Sequence, residues 1–325
     1  MEKQKIKKTV FLLLVMAATV NAGALDFNIL DNPYSVRLGA GLRGASMKMD
    51  EMVYADKNVD KEISHISYDM KFQLGLDLAL TLEPVNIFNK PGISFDVLYA
   101  GYFPRTGAKV IDEDWEDTGE KFSHSEQEGN NLAFQETDVS LIFNVPVIKM
   151  FVIGAGAQMM YSRYIMTSFD GWIQQADYGQ EWSDDLTVYQ MYGMSSMYLQ
   201  EWLGVMPVLR MAAGLGKENR HEIDVRLGIF GFVRGSHLDY HYFRNVVYED
   251  KVKTNKLFNF WACYRFRINN RFAPQVWLSW RQIKEARGDS WSVMQGLVGD
   301  VYYEPDASGA EMGSLRVGLG VTVWL

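Results

Sequence analysis

Apolar and polar residues alternate with a period of two through most of this chain. Every second residue from Phe72 to Leu82 is Phe or Leu, whereas Lys71, Gln73 and Asp77 stand among the positions between them. Residues 315–325, at the end of the chain, repeat the pattern. Because successive side chains of a β-strand point to opposite faces, this pattern predicts strands that each have one apolar and one polar face.

The first residues have a different character and indicate export. Four lysines between positions 3 and 8 precede an apolar run at residues 10–20, and Ala22 offers a cleavage site. This three-part pattern is typical of a secretory signal peptide, and the apolar run is too short for a transmembrane anchor. We therefore expect residues 1–22 to be a signal peptide and residues 23–325 to form one domain.

The exported strands fit an outer-membrane barrel better than a soluble sandwich. A sandwich turns its apolar faces inward, whereas an outer-membrane barrel turns them outward to lipid around a polar lumen. Aromatic residues cluster near strand ends, as in the girdles of such barrels, at Tyr99, Tyr102, Tyr161 and Tyr164. The chain also ends in an amphipathic strand that contains Trp324. We predict an all-β fold, a transmembrane antiparallel β-barrel with long extracellular loops.

The pattern predicts about ten strands, an even number as such barrels require. Strands begin near Val36, Ser64, Ile93, Leu132, Met150, Ser195, His221, Leu257, Arg271 and Met312. The links are short at residues 83–92, 146–149, 217–220 and 269–270, and long and polar at residues 49–63, 104–131, 167–194, 242–256 and 284–311. Short turns in these barrels are periplasmic and long loops lie outside. The strict alternation therefore predicts that the long links face the exterior of the cell.

The strand that begins near His221 changes phase half-way along. Asp224 and Arg226 share the polar face of its first half, but beyond residues 228–231 the apolar residues switch from odd to even positions. Such a switch predicts a β-bulge. After the bulge, we expect Asp239 and His241 to point into the mouth of the barrel.

Charge and cysteine content exclude several functions. The chain has a net charge of −8, and loss of a signal peptide with four lysines and one glutamate makes it −11. An acidic protein of this kind is a poor general binder of nucleic acid, so we expect no nucleic-acid partner. The single cysteine, Cys263, excludes an intrachain disulfide and Cys-rich zinc sites.

Two short stretches place ionisable residues at the outer end of the barrel. Residues 111–117, IDEDWED, carry Asp112 and Asp114 on one face if the strand continues through them, and LDYHY carries Asp239 and His241 two residues apart. A carboxylate beside an imidazole orients the ring, and the imidazole can act as a general base on water. Each stretch alone is weak evidence, because acidic runs in loops are commonly solvated.

Taken together, VIDEDWED and LDYHY resemble the omptins, a family of outer-membrane endoproteases with the patterns D-x-D-W and D-x-H-Y on a loop and a later strand. The resemblance implies that Asp112, Asp114, Asp239 and His241 are catalytic, and that water rather than a side chain is the nucleophile. It implies an aspartic-type endopeptidase of the outer membrane, with its active site facing the exterior. We expect it to be a monomer that needs no cofactor and acts on extracellular polypeptides or cationic peptides.

Two further stretches resemble omptin binding sites. Residues 50–54, DEMVY, are similar to the stretch whose glutamate lines the substrate pocket, which implies that Glu51 binds substrate. The second acidic position of that pocket is His237 here, and we assign it to substrate binding as well. Residues 161–164, YSRY, are similar to a lipopolysaccharide-binding segment, with Tyr161 where the family has glutamate. This implies that Arg163 binds lipopolysaccharide of the outer membrane, which would serve as an activating lipid.

Other functions remain open. A non-proteolytic surface barrel, either an adhesin or a catalytically inactive omptin relative, would have the same strands but no need of Asp239 or His241. A barrel hydrolase of lipid A would need a serine near a histidine, and Ser236 lies on the opposite face from His237. The spacing of His237, Asp239 and His241 would also suit a metal if all three pointed inward.

Overall fold

The computed structural model of the protein describes residues 27–29, 32–55, 61–116, 118–177, 180, 182–294 and 301–325. The expected signal peptide, residues 1–22, lies outside the described residues. Within them the chain forms twelve β-strands and one short 3-10 helix, Lys217–Asn219. No helix of this part of the chain is long and apolar enough to cross a membrane.

The strands have these bounds: β1 (Phe27–Ile29), β2 (Asn32–Tyr54), β3 (Glu62–Pro84), β4 (Gly92–Tyr102), β5 (Arg105–Trp115), β6 (Lys121–Ile148), β7 (Phe151–Gln175), β8 (Val188–Leu215), β9 (His221–His241), β10 (Val246–Phe266), β11 (Phe272–Met294) and β12 (Tyr302–Trp324).

The strands close into an antiparallel ring. β12 pairs with β2 over a long register, from Trp324 opposite Arg37 to Ser308 opposite Val53. β4 and β5 occupy one position between β3 and β6, interrupted at residues 103–104, so the described residues form ten strand positions around the ring. Closure pairs the backbone groups that an open edge would leave unsatisfied in lipid. The predicted β-barrel is confirmed.

The apolar faces of the strands point outward. In β12, Leu315 and Leu319 are 51% and 68% exposed, whereas Arg316 between them is 2% exposed and lies inside. In β3, Phe72 and Leu74 are exposed and Gln73 is buried. This arrangement is the reverse of a soluble sandwich and forms an apolar belt that faces lipid.

The links alternate between the two ends of the barrel, as predicted, but the predicted bounds of the long loops are wrong. The links are residues 85–91, 149–150, 216–220 and 267–271 at one end, the turn end, and at the other, the loop end, they follow Tyr54, Trp115, Gln175, His241 and Met294. Most residues of the predicted long loops continue the barrel wall. Beyond the lipid belt both faces of a strand can be polar, so the hydrophobic alternation fades although the backbone pairing continues.

The predicted bulge in β9 is present. Phe230 has a φ of 53°, in the left-handed region, and the pairing of β9 with β10 shifts register on either side of Leu257. The extra residue moves the buried face of β9 from even positions such as Asp224 to odd positions such as Val233 and Asp239.

The interior changes character along β9. Near the turn end, Asp224 pairs with Arg210 at 2.9 Å and Arg226 at 3.2 Å. Above the bulge, Val233 belongs to a layer of fully buried apolar side chains that includes Trp202 and Leu257. The lumen is therefore only partly polar, because an apolar layer separates the ion pairs from the loop end. This layer supports the site above it.

Candidate active site

The site lies at the loop end, beyond the apolar belt. On β9 the belt ends at Phe232, and Arg234 above it is exposed. Further along the same strand, Asp239 and His241 face the interior, as the sequence predicted. A cavity of about 300 Å³ lies at this level, and Asp112, Asp114 and His241 line it together with Glu51. Four of the predicted site residues, from three different strands, thus meet in one cavity.

Asp239 and His241 are in direct contact. Nε2 of His241 lies 2.5 Å from Oδ2 of Asp239, whose side chain is 1% exposed. A carboxylate can only accept a hydrogen bond, so Nε2 carries the proton and Nδ1 is left as the basic nitrogen. Burial opposes a charge on the ring, but the charge and hydrogen bond of Asp239 raise the pKa of His241 above its usual value. The rings of His241 and Tyr248 also pack nearly perpendicular to each other, with their centroids 5.4 Å apart.

Asp112 and Asp114 lie on the other side of the cavity, on the inner face of β5. Oγ of Ser123 donates a hydrogen bond to Oδ2 of Asp114 at 2.8 Å, and Nη2 of Arg244 lies 3.4 Å from the same oxygen. Oδ1 of Asp112 is buried and has no hydrogen-bond partner among the described residues. Burial, and next the charge of Asp114, raise the pKa of Asp112 to about 7. Near neutral pH this carboxyl can therefore be found in either protonation state.

Glu51 and Asp250 form an acidic pair in the floor of the same cavity, and we call this part of it the acidic pocket. Both side chains are buried, at 5% and 3% exposure, and their mutual interaction favours the protonated form of Glu51. Burial, followed by the charges of Asp239, Asp250 and Asp112, holds the pKa of Glu51 well above its usual value. Burial raises the pKa of Asp250 to about 6. Two adjacent carboxyls that share one proton carry a single negative charge.

His237 lies beside the acidic pocket rather than in its lining. It is the register partner of Asp250 and is fully buried, with its ring 4.9 Å from that of Trp202 and 5.8 Å from that of Tyr198, both edge-on. Burial lowers the pKa of His237 to about 3, so the ring is neutral. His237 therefore packs beside Asp250 on the neighbouring strand. The second acid of the pocket is Asp250 itself, which belongs to β10.

Sequence reasoning missed Asp250, Ser123 and Arg244. Residues 242–256 were expected to form a loop, but they are a short turn followed by strand β10. The signal was present in the alternation of Tyr248, Asp250 and Val252 with the charged residues between them. Ser123 and Arg244 carry no comparable signal, because their contacts with Asp114 depend on pairing between strands and on the course of a turn.

Arg163 lies on the outer face of the barrel wall, near the edge of the apolar belt. Its side chain is 45% exposed, and its Nε is 3.3 Å from Oε1 of Glu201, its register partner on β8. Tyr161 donates a hydrogen bond to the same oxygen at 2.8 Å. The segment YSRY has Tyr161 in place of a glutamate, and the carboxylate beside Arg163 is instead that of Glu201 on β8.

A metal site is not evident in the described part of the chain. No group of three or more His, Cys, Asp or Glu residues there is arranged to hold a metal ion. The nitrogens of His237 are buried against aromatic rings, so the His237–Asp239–His241 spacing does not form an open ligand set.

A family model described as the omptin family matches residues 32–324. The chain belongs to the omptin family. This omptin is similar to the outer membrane protease OmpT from Escherichia coli, with 15% sequence identity, a TM-score of 0.75, and coverage of 90% of this chain and 97% of that chain. The outer membrane protein OprG from Pseudomonas aeruginosa is also similar, at 6% identity and a TM-score of 0.32, with 90% and 95% covered. No curated protein sequence is significantly similar to the omptin.

The OmpT likeness extends over nearly the whole barrel and shows the fold. Family and fold make the omptin an outer-membrane β-barrel protein and support an outer-membrane protease in general.

Proposed function

We propose that this omptin is an endopeptidase of the outer membrane whose active site is the cavity between β5 and β9 and opens to the exterior of the cell. The observation that carries the proposal is the contact of Asp239 with His241, across one cavity from Asp112 and Asp114. An oriented imidazole that faces a carboxyl pair is the arrangement needed to activate a water molecule between them. The substrates are extracellular polypeptides or cationic peptides.

In the proposed mechanism, Nδ1 of His241 removes a proton from a water molecule that Asp112 holds from the opposite side. The water oxygen attacks the peptide carbonyl carbon, and Asp239 stabilises the imidazolium that forms. The raised pKa of Asp112 allows this carboxyl to be protonated, and in that form it donates a hydrogen bond to the developing oxyanion. His241 then returns its proton to the leaving amine. No acyl-enzyme forms, because water is the nucleophile.

The acidic pocket supports a preference for a cationic residue next to the cleaved bond. A Lys or Arg side chain that enters it would meet Glu51 and Asp250 in a buried site, and its charge would favour loss of the proton that they share. Charge-assisted hydrogen bonds of this kind contribute about 1.5–3 kcal/mol each. We therefore propose that Asp250 is the second acid of the substrate pocket. His237, which stands at the position of that acid in the sequence, packs beside Asp250 and carries no negative charge.

Lipopolysaccharide is proposed as an activating lipid that binds at Arg163. The exposed guanidinium lies beside aromatic and acidic neighbours at the edge of the belt, where lipid phosphate groups are found. Glu201 pairs with the guanidinium, and Tyr161 donates a hydrogen bond to the same carboxylate oxygen.

The test of the proposed function is cleavage by the refolded, purified barrel, with and without added lipopolysaccharide. A mixed peptide library is incubated with the parent, Asp239→Ala and His241→Ala, and mass spectrometry locates the cleaved bonds. We expect cleavage next to Lys or Arg by the parent and none by either variant. Failure of the folded parent to cleave in both conditions would favour an adhesin or an inactive relative. Equal cleavage by all three proteins would reject the site.

A further inference from the structure

A second cavity lies on the other side of the Asp112–His241 gap from the acidic pocket. It has a volume of about 170 Å³ and shares four lining residues with the 300 Å³ cavity, namely Ile66, Asp112, His241 and Arg244. A peptide bond held between Asp112 and His241 therefore has one cavity on each side. The side chains of the two residues that flank this bond point in different directions along an extended peptide, so each can enter its own cavity.

The polar wall of the second cavity is a chain of uncharged side chains. Nε2 of Gln127 donates a hydrogen bond to Oγ of Ser125 at 3.0 Å, and Oγ of Ser195 donates to Oε1 of Gln127. Oγ of Ser168 lies 2.7 Å from Oγ of Ser195 and 2.6 Å from Oγ of Ser196. The four serines are buried. These groups therefore hydrogen-bond to one another without any charged partner.

Most of the remaining lining of this cavity is apolar. Ile66, Val110, Ile173, Met191 and Phe243 form these apolar walls, and the uncharged amide of Gln175 completes the lining.

Charge is confined to the boundary with the acidic pocket. Among the described lining residues, the ionisable groups of the second cavity are Asp112, His241 and Arg244, and each of them also lines the first. Asp112 and His241 belong to the proposed catalytic machinery, and Arg244 contacts Asp114. A Lys, Arg, Asp or Glu side chain that entered would lose its hydration without gaining a counter-ion of its own, which is unfavourable.

We propose that this second cavity, the neutral pocket, binds the residue on the other side of the cleaved bond and selects an uncharged side chain, aliphatic or hydroxyl- or amide-bearing. The inference rests on the proposed function and deepens it. The enzyme then recognises a pair of adjacent residues, one cationic in the acidic pocket and one uncharged in the neutral pocket. The acidic surroundings attract cationic peptides in general, and the neutral pocket decides which of their bonds is cut.

The test uses two series of peptides that contain one Arg, with the residue after it or the residue before it varied. The varied residues are Ala, Val, Ser, Gln, Asp, Glu and Lys. For the parent we expect the rate to depend on the varied residue in one of the two series, with kcat/KM about tenfold higher for the uncharged neighbours than for the charged ones. Gln127→Glu adds a carboxylate to the neutral pocket with almost no change in shape. We expect it to raise the kcat/KM of the Lys-containing peptide, relative to the Ser-containing one, by about tenfold.

A matched control makes the same chemical change elsewhere at the loop end. Gln190 is an exposed residue of β8 that lies outside the lining of both cavities, so Gln190→Glu should keep the parent's preference. If Gln127→Glu does not fold, Met191→Glu places the same charge on the apolar wall and is expected to give the same change. Parent enzyme that cuts charged and uncharged neighbours equally, or a Gln127→Glu preference equal to that of the parent, would overturn the neutral pocket. Absence of any cleavage by the parent would instead overturn the proposed function.

Discussion

Asp239→Asn tests the contact on which the proposed mechanism depends. Oδ2 of Asp239 lies 2.5 Å from Nε2 of His241, and the carboxylate is almost fully buried. A hydrogen bond to a charged group contributes about 1.5–3 kcal/mol. Since about 1.36 kcal/mol corresponds to a tenfold change in rate, loss of this stabilisation predicts a fall in kcat of about 10- to 160-fold. KM should change little, because Asp239 does not line the acidic pocket.

The pH profile of kcat gives an independent readout. His241 acts as a base only when it is neutral, so activity should be lost as pH falls through its pKa, which Asp239 raises above the usual value. In Asp239→Asn the carboxylate that stabilises the imidazolium is absent, so the pKa of His241 falls. The acidic limb of the kcat profile should therefore move to lower pH, and the maximal kcat should fall. The assay is hydrolysis of an internally quenched fluorescent peptide between pH 4 and about 9, a range that covers the titration of a histidine.

A second Asp–His pair in the same barrel provides the control. Nε2 of His65 lies 3.1 Å from Oδ1 of Asp50, on the outer face of the wall, and Asp50 also raises the pKa of this histidine. Asp50→Asn should leave both kcat and the acid limb unchanged. An acid limb that stays in place in Asp239→Asn would assign it to another group, such as Asp112 with its pKa of about 7, and would refute the role given to His241.

Four further variants, one of them a control, test other parts of the barrel. Glu51→Gln combined with Asp250→Asn should lower kcat/KM for Lys- and Arg-containing peptides by about tenfold or more relative to uncharged ones, and an unchanged preference would contradict the acidic pocket. Gly235→Ala would place a methyl carbon 2.6 Å from the indole ring of Trp202 on the neighbouring strand β8. We therefore expect the free energy of unfolding, measured with urea in detergent, to fall by about 1–3 kcal/mol. Gly313→Ala, whose methyl group would meet nothing within 4 Å, should show little loss. Arg163→Ala should require about tenfold more lipopolysaccharide for half-maximal activity, and an unaltered lipid titration would remove Arg163 from the lipid site.

The sequence by itself determined the fold class and the orientation of each strand. Alternation is a local property, because the side-chain period of a strand is two whatever its neighbours are. Leu319 and Arg316 were therefore assigned to the lipid and the interior before any pairing was known, and the phase switch near Phe230 predicted the bulge. The same argument placed Asp239 and His241 on one face, since both belong to a single strand.

Only the tertiary structure decided which groups from different strands meet. Asp250 joins Glu51 because β10 pairs with β9 in a register that sets Asp250 opposite His237, and no local pattern specifies that register. The same applies to Glu201, which lies opposite Arg163 on β8, and to the chain of serines that connects β6, β7 and β8. Side-chain spacing along one strand is set by backbone geometry, whereas neighbours across strands depend on how the whole ring closes.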